Sequence, residues 1–238
     1  MNLGLSALEN ENALQMNTYP GRGIVIGMTP DRKHFVQIYW IMGRSENSRN
    51  RIFAADGSFV RTKAHNESKL TDPSLIIYYP VKDYKTWHIV SNGDQTETVY
   101  EYLKKNERIE DALATRSYEP DGPNFTPRIT GCVDLANKSY QLSILKKVTE
   151  SGASLRSFYN YESASHGFGY CIHTYRADGN PLPSFAGEPY VIRIFDSIEA
   201  NADHYWNLLN EENRISLLVK FIDAQNGSVN LKIINKHR

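Results

Sequence analysis

Two cysteines among 238 residues, Cys132 and Cys171, stand in no CxxC arrangement. That scarcity argues against both a disulfide framework and a cysteine-built zinc centre. Net charge is equally lacking, with 27 Lys and Arg against 27 Asp and Glu and a pI near 7.1. Broad nucleic-acid affinity comes from an excess of cationic side chains, so a polyanion-wrapping surface is excluded and no nucleic-acid partner is expected. A single small anion needs only a local cluster and stays open. No window approaches the ~18–20 uninterrupted apolar residues of a membrane span. The first twenty residues also lack the basic start and apolar run of a signal peptide, so the expectation is a cytoplasmic protein with no membrane partner. P-loop, GxGxxG, HExxH and GxSxG motifs are missing. His166 and His173, the closest histidine pair, are separated by an odd number of residues in a β-type region and so face opposite ways. No metal and no cofactor are expected.

What is present is an ordinary globular core: 40% hydrophobic residues, with 15 Tyr, 9 Phe and 3 Trp. At ~100–200 residues per domain, the length suits one large domain or two small ones. Residues 1–18 read as an appended helix or arm, with Leu3, Leu5, Leu8 and Leu14 forming a weak stripe. The body, 19–238, opens on Tyr19-Pro20-Gly21-Arg22 and shows no linker. Gly23–Met28 and His34–Met42 read as a hairpin around Thr29-Pro30-Asp31-Arg32. Gly43 to Leu70 is polar and irregular, apart from a hairpin-like Ala55-Asp56-Gly57-Ser58. Leu75–Tyr79 and Thr86–Val90 read as short strands. Asp94 with Glu97 three residues on suggests a capping-box start to a helix bearing Val99 and Leu103, and Ile109–Arg116 reads as a second helical piece. Strands follow at Arg128–Asp134, Tyr140–Val148, Leu155–Tyr161, Gly169–Tyr175 and Tyr190–Phe195, then a helix over Ser197–Leu209. Ile215–Ile222 and Val229–Ile234 flank Gln225-Asn226-Gly227, a strong hairpin signal. Many strands with helices clustered in sequence imply an α+β layered fold, not alternating βαβ units. The last hairpin and the aromatic strands fit a homo-oligomer interface and a core equally well.

Three constellations carry chemistry. Arg44, Arg49 and Arg51, interleaved with Ser and Asn, can grip a phosphate or steady an oxyanion, but a solvated loop of local ion pairs explains them too. Ser91-Asn92-Gly93-Asp94 sits at a strand-to-helix turn whose N–H groups suit an anion or carbonyl, although a plain cap is the simpler reading. Tyr118-Glu119 near Arg128 offers either a proton-transfer carboxylate or a helix-end salt bridge. Tyr78 and Tyr79 are equally ambiguous; on a strand they face opposite sides, so only one can reach a pocket.

In this order the fragments resemble the archaeal-type IMP cyclohydrolase family. The matching pieces are Tyr19-x-Gly21-Arg22, Arg44-Ser45 with Asn50-Arg51, and Asp72-Pro73 followed by Tyr78. Then come Ser91-Asn92-Gly93-x-x-Thr96-x-Thr98, Tyr118-Glu119 and Thr126-Pro127-Arg128-Ile129, with weaker support from Tyr170-x-Ile172-x-Thr174-Tyr175. The resemblance runs from Tyr19 nearly to the C-terminus. It implies a four-layer αββα sandwich similar to N-terminal-nucleophile hydrolases, with mostly antiparallel sheets. No N-terminal nucleophile is expected, because the equivalent start is Tyr19.

The implied reaction closes 5-formamidoimidazole-4-carboxamide ribotide (FAICAR) to IMP with loss of water, and the implied small-molecule partner is a purine ribotide. The family's catalytic Arg, Tyr and Glu correspond to Arg51, Tyr78 and Glu119. Arg22, Arg44, Arg49, Ser91, Asn92 and Arg128 are candidate substrate contacts; Arg49 competes with Arg51, and Tyr79 with Tyr78. Two features stand outside the compact family pattern: the arm, and an insertion at about 52–70, which could be a lid over the pocket or alter substrate choice. Two alternatives stay open: another amidohydrolase or cyclic-amide hydrolase on this fold, or a non-catalytic purine-nucleotide-binding protein.

Overall fold

A computed structural model describes residues 2–70, 73, 75–148 and 151–237. In chain order the first half holds α1 (Leu3–Met16), β1 (Gly23–Met28), β2 (His34–Met42), α2 (Glu46–Arg49), β3 (Arg51–Asp56), β4 (Phe59–Ala64), β5 (Val81–Tyr84), β6 (Trp87–Ser91), α3 (Gln95–Lys104) and α4 (Ile109–Ala114). The second half adds β7 (Arg128–Asp134), β8 (Ser139–Val148), β9 (Ala153–Tyr161), β10 (Phe168–His173), β11 (Tyr190–Arg193), α5 (Ile198–Leu208), β12 (Arg214–Asp223) and β13 (Val229–Asn235). The class is α+β. One antiparallel sheet runs β11-β10-β1-β2-β12-β13, and a second runs β3-β4-β5-β6-β7-β8-β9.

The side-chain period of two explains why the central strands are apolar throughout. On β2, Phe35, Tyr39 and Ile41 join a core with Ile129 and Val133 of β7 and Leu142 and Ile144 of β8, between the sheets. The alternate residues Val36, Ile38, Trp40 and Met42 pack instead with Leu14 of α1 and Ala202 and Tyr205 of α5. Cys132, out of phase with Ile129 and Val133, turns to a third cluster with Val99, Leu103, Ala112 and Leu113 of α3 and α4. Strands covered on both faces have no polar face to show, so alternation disappears from their sequences.

Two expectations change. Leu75–Tyr79 is a turn, not a strand. The Pro73 carbonyl accepts the N–H groups of Ile76 and Ile77 (3.0 and 2.9 Å), and Thr62 of β4 brackets Tyr78, its N–H donating to the Tyr78 carbonyl and its Oγ1 accepting the Tyr78 N–H, both at 2.9 Å. The strand forms at Val81–Tyr84, past Pro80. Asp72, quoted above with Pro73, lies outside the described residues.

The Gly43–Leu70 stretch is also more regular than its polarity suggests. It holds α2 and the β3–β4 hairpin, turned by Gly57 at φ +63°, then a short turn at Glu67–Lys69. The hairpin is therefore the edge of the second sheet. Asn235 holds it down: its Oδ1 accepts the Phe53 N–H (2.9 Å) and its Nδ2 donates to the Phe53 carbonyl (3.0 Å).

Residues before Tyr19 form α1, which lies against β11 through a buried carboxylate. Glu11, only 2% exposed, accepts hydrogen bonds from Arg193 and lies 3.2 Å from His204 Nε2. Burial alone would raise the Glu11 pKa, but the hydrogen bonds from His204 and Arg193 outweigh it and hold it at about 2. A depressed carboxylate stabilises the fold above its unfolded value near 4.5, and that contribution disappears as pH falls through about 2. Glu11→Ala should therefore cost about 1–3 kcal/mol at neutral pH, discounted for the half-exposed Arg193, and the gap from wild type should close in acid. Urea melts at pH 7 and below pH 3 check this. No helix among the described residues is long and apolar enough to cross a membrane.

Candidate active site

The site forms where the start of β1, the end of β2, the start of β3 and the loop between α4 and β7 meet. Gly21, at φ +77°, lets the chain turn tightly against Thr174 and Tyr175 before β1. Arg22 is then clamped through its backbone: its N–H donates to Thr174 Oγ1 (3.1 Å) and its carbonyl accepts the Thr174 N–H (2.9 Å). Arg51 enters from the other side, immediately after the short α2. Its Nε donates to the Ser48 carbonyl (2.8 Å) and its Nη2 to the Met42 carbonyl (3.4 Å), while its buried Nη1 has no acceptor among the described residues. Glu119 is set by a loop that Asp121 organises: Asp121 Oδ1 accepts the Thr126 N–H (2.6 Å), and the Glu119 N–H donates to the Thr126 carbonyl (2.9 Å).

The structure thus gathers Arg22, Arg51, Tyr78 and Glu119 from four distant parts of the chain. Arg22 Nη2 lies 3.5 Å from Glu119 Oε2. The Tyr78 hydroxyl is 2.7 Å from that of Tyr39. All are almost wholly enclosed, Arg51 and Glu119 at 1% exposure and Tyr78 at 6%.

Enclosure sets their electrostatics. Desolvation raises the Glu119 pKa above the usual carboxylate value, against the opposing pull of Arg22 and Arg128. Desolvation also raises Tyr78, so the phenol stays protonated. Arg51 is lowered by burial and then by Arg22 beside it. Burial pulls Arg22 down, but Glu119 together with Tyr175, Tyr78 and Tyr39 outweighs that cost and moves it up. Arg22 bonds Glu119, while among the described residues Arg51 bonds only backbone carbonyls, so two guanidinia lie close together in an otherwise neutral chain.

Arg22 and Arg51 also line a cavity of about 190 Å³ together with Tyr19, Arg44, Asp121 and Tyr175. Glu119 and Tyr78 do not line it; Glu119 joins it through its contact with Arg22. Arg44 is at the rim, its guanidinium 4.9 Å from the Tyr19 ring centroid and paired with Asp178. Tyr19 in turn stacks on Tyr175 at 5.9 Å.

The other expected residues are placed differently. Arg49 turns outward: Nε donates to the Gly43 carbonyl (3.0 Å) and Nη2 to Asn213 Oδ1 (3.2 Å), so it does not line this cavity. Tyr79 reaches Asp56 at the surface, its hydroxyl donating at 2.9 Å. Ser91 and Asn92 are buried and do not line the cavity. Ser91 Oγ donates to the Gly93 carbonyl (2.9 Å); Asn92 Nδ2 donates to the Pro127 carbonyl (2.9 Å) and its Oδ1 accepts the Ile129 N–H (2.8 Å).

They build the turn that carries Gly93. A Cβ at Gly93 would lie 2.6 Å from Arg128 Nη1, 2.7 Å from Gln95 Oε1 and 3.4 Å from Glu119 Oε1. Glycine therefore permits the close approach of these groups. Arg128 Nη1 donates to Asp94 Oδ1 and Gln95 Oε1, each at 2.7 Å. Asp94 consequently makes no side-chain cap on α3; its carboxylate pairs with Arg116 and Arg128 instead, and Glu97 pairs with Lys82. The expected capping box is absent because both carboxylates find stronger cationic partners.

Tyr39, Asp121 and Tyr175 join the site without having been singled out as site residues. Tyr39 carried one usable signal: third of the four inward-facing positions of β2, it brings a phenol where Phe35 and Ile41 bring hydrocarbon. Among curated proteins, none matches the chain in sequence. A protein-family model described as IMP cyclohydrolase-like protein matches residues 19–227, leaving α1 before the match and all of β13 after it. With that match over most of its length and in the region that builds the whole site, the chain belongs to the IMP cyclohydrolase-like protein family.

Proposed function

We propose that the protein is an IMP cyclohydrolase, closing FAICAR to IMP with release of water. The observation that carries this reading is the enclosed set Arg22, Arg51, Tyr78 and Glu119 beside a small polar cavity. On the same reading the two packed sheets with helices on their outer faces are the αββα sandwich of N-terminal-nucleophile hydrolases.

The chemistry asks little of a protein beyond placement. The carboxamide nitrogen of FAICAR is a weak nucleophile that must attack the formyl carbon of the same molecule. Holding the two substituents in contact turns the closure into a near-attack geometry. As the C–N bond forms, charge develops on the formyl oxygen and a proton must leave nitrogen. The resulting carbinolamine then loses hydroxide as water, helped by a proton.

Glu119 suits the proton transfers, because burial moves its pKa upward toward working pH. Tyr78, held protonated, would donate to the formyl oxygen, and Arg51, with a free buried N–H, would stabilise the developing charge. Arg22 would orient Glu119 and meet the substrate at the cavity wall. At about 190 Å³ the cavity is below the ~300 Å³ of a typical whole-ligand pocket. It would therefore take the heterocycle, leaving the ribose phosphate toward Arg44 at the rim.

Purified protein should convert FAICAR to IMP far above the uncatalysed rate, followed by the IMP absorbance. No conversion would sink the proposal, and IMP binding without conversion would point to a nucleotide-binding protein.

A further inference from the structure

Tyr39 and Tyr78 place two phenol oxygens 2.7 Å apart, so one hydroxyl donates and the other accepts. The surroundings of the two rings are not equivalent. Tyr39 is fully enclosed at 0% exposure, with its ring against Phe53 at 5.4 Å, and among the described residues its hydroxyl has no hydrogen-bond partner besides Tyr78. If Tyr78 donated, the Tyr39 proton would be a buried donor without an acceptor, which is costly. If Tyr39 donates, it is the Tyr78 proton that lacks an acceptor among the described residues, but Tyr78 is 6% exposed and feels the Glu119 carboxylate where Tyr39 does not, so that proton can be met by a bound substrate.

We infer that Tyr39 is a positioning residue that donates its hydroxyl proton to Tyr78 and thereby commits the Tyr78 proton to the substrate side. The inference rests on the cyclohydrolase reading, since it is the formyl oxygen of FAICAR that receives this proton. It explains why a phenol occupies an inward position of β2 that its neighbours Phe35 and Ile41 fill with hydrocarbon. Burial keeps the Tyr39 hydroxyl protonated at any working pH, so its donor role is permanent. Accepting this hydrogen bond also makes the Tyr78 proton a better donor, because the bond stabilises the phenolate that proton transfer leaves behind.

Two measurements separate the hydrogen bond from the function. A neutron structure of the perdeuterated protein should show the Tyr39 deuteron on the line to Tyr78 Oη and the Tyr78 deuteron turned away from Tyr39; the reverse arrangement overturns the inference. Tyr39→Phe keeps the ring and removes only the donor. It should lower kcat for FAICAR about tenfold with KM within about twofold and IMP affinity kept. An unchanged or increased kcat would mean that Tyr78 had been donating to Tyr39, and the inference falls. Absence of FAICAR turnover in the wild type would overturn the cyclohydrolase reading, while the deuteron positions would still decide the direction of the bond.

Discussion

Replacing Glu119 with Gln is expected to lower kcat for FAICAR closure by about 10²–10⁴, the range for loss of a positioned acid–base group. IMP affinity should change little, because the amide keeps the shape and the hydrogen-bonding reach toward Arg22. The pH profile gives the sharper test. Burial raises the Glu119 pKa above its ordinary 4.5, so the base form is lost as pH falls through that elevated value. Wild-type kcat/KM should accordingly decline on the acid side at a pH above the ordinary carboxylate range, and the Gln variant should lose that limb. The linked stability has the opposite sense. A raised carboxylate contributes stability below 4.5 that is lost as pH rises through the folded-state value, so ionised Glu119 works against the fold. A Gln variant with wild-type turnover would remove Glu119 from the mechanism.

Arg51→Met should separate activity from stability more widely than any other substitution in the site. Arg51 is a buried cation with no carboxylate bonded to it among the described residues, and its pKa is depressed by desolvation and by Arg22. Removing such a charge relieves a desolvation penalty, at the expense of two hydrogen bonds to the Ser48 and Met42 carbonyls. The melting temperature should therefore stay within a few degrees of wild type or rise, while kcat falls by about 10²–10³ through loss of charge stabilisation. Thermal melts and steady-state kinetics on the same preparation decide it. A large fall in melting temperature would show that the guanidinium serves the fold first. Arg49→Met is the matched control, because its guanidinium points away from the cavity.

Much of the architecture was legible in the residues. Strands such as Arg128–Asp134 and the Asp223–Val229 turn announced themselves through β-branched runs and Gln225-Asn226-Gly227, which are local signals. The β3–β4 hairpin and the Leu75–Tyr79 turn were harder. The hairpin is an edge with mixed polarity, and the turn, closed locally on the Pro73 carbonyl, is held by Thr62, a partner chosen by tertiary contact.

The site divides in the same way. Residue types and their order brought out Arg22 and Glu119, with Arg51 and Tyr78 each beside a rival, and excluded a broadly basic surface from a neutral chain. Nothing in a one-dimensional pattern could decide between Arg49 and Arg51 or between Tyr78 and Tyr79. Arg49 ends α2 while Arg51 opens β3, and Tyr78 and Tyr79 lie in the turn before β5, so each choice depends on tertiary placement and not on a local period. Nor could charge counting show that Arg128 is taken up by Asp94 and Gln95 while Arg51 Nη1 meets no acceptor among the described residues. The scarcity of cysteine and of net charge bounded the chemistry from the sequence alone. Folding determined the remainder, because burial and partnership, which only packing assigns, convert identical guanidinium groups into a surface ion pair at Arg44, a tether at Arg49 and an enclosed cation at Arg51.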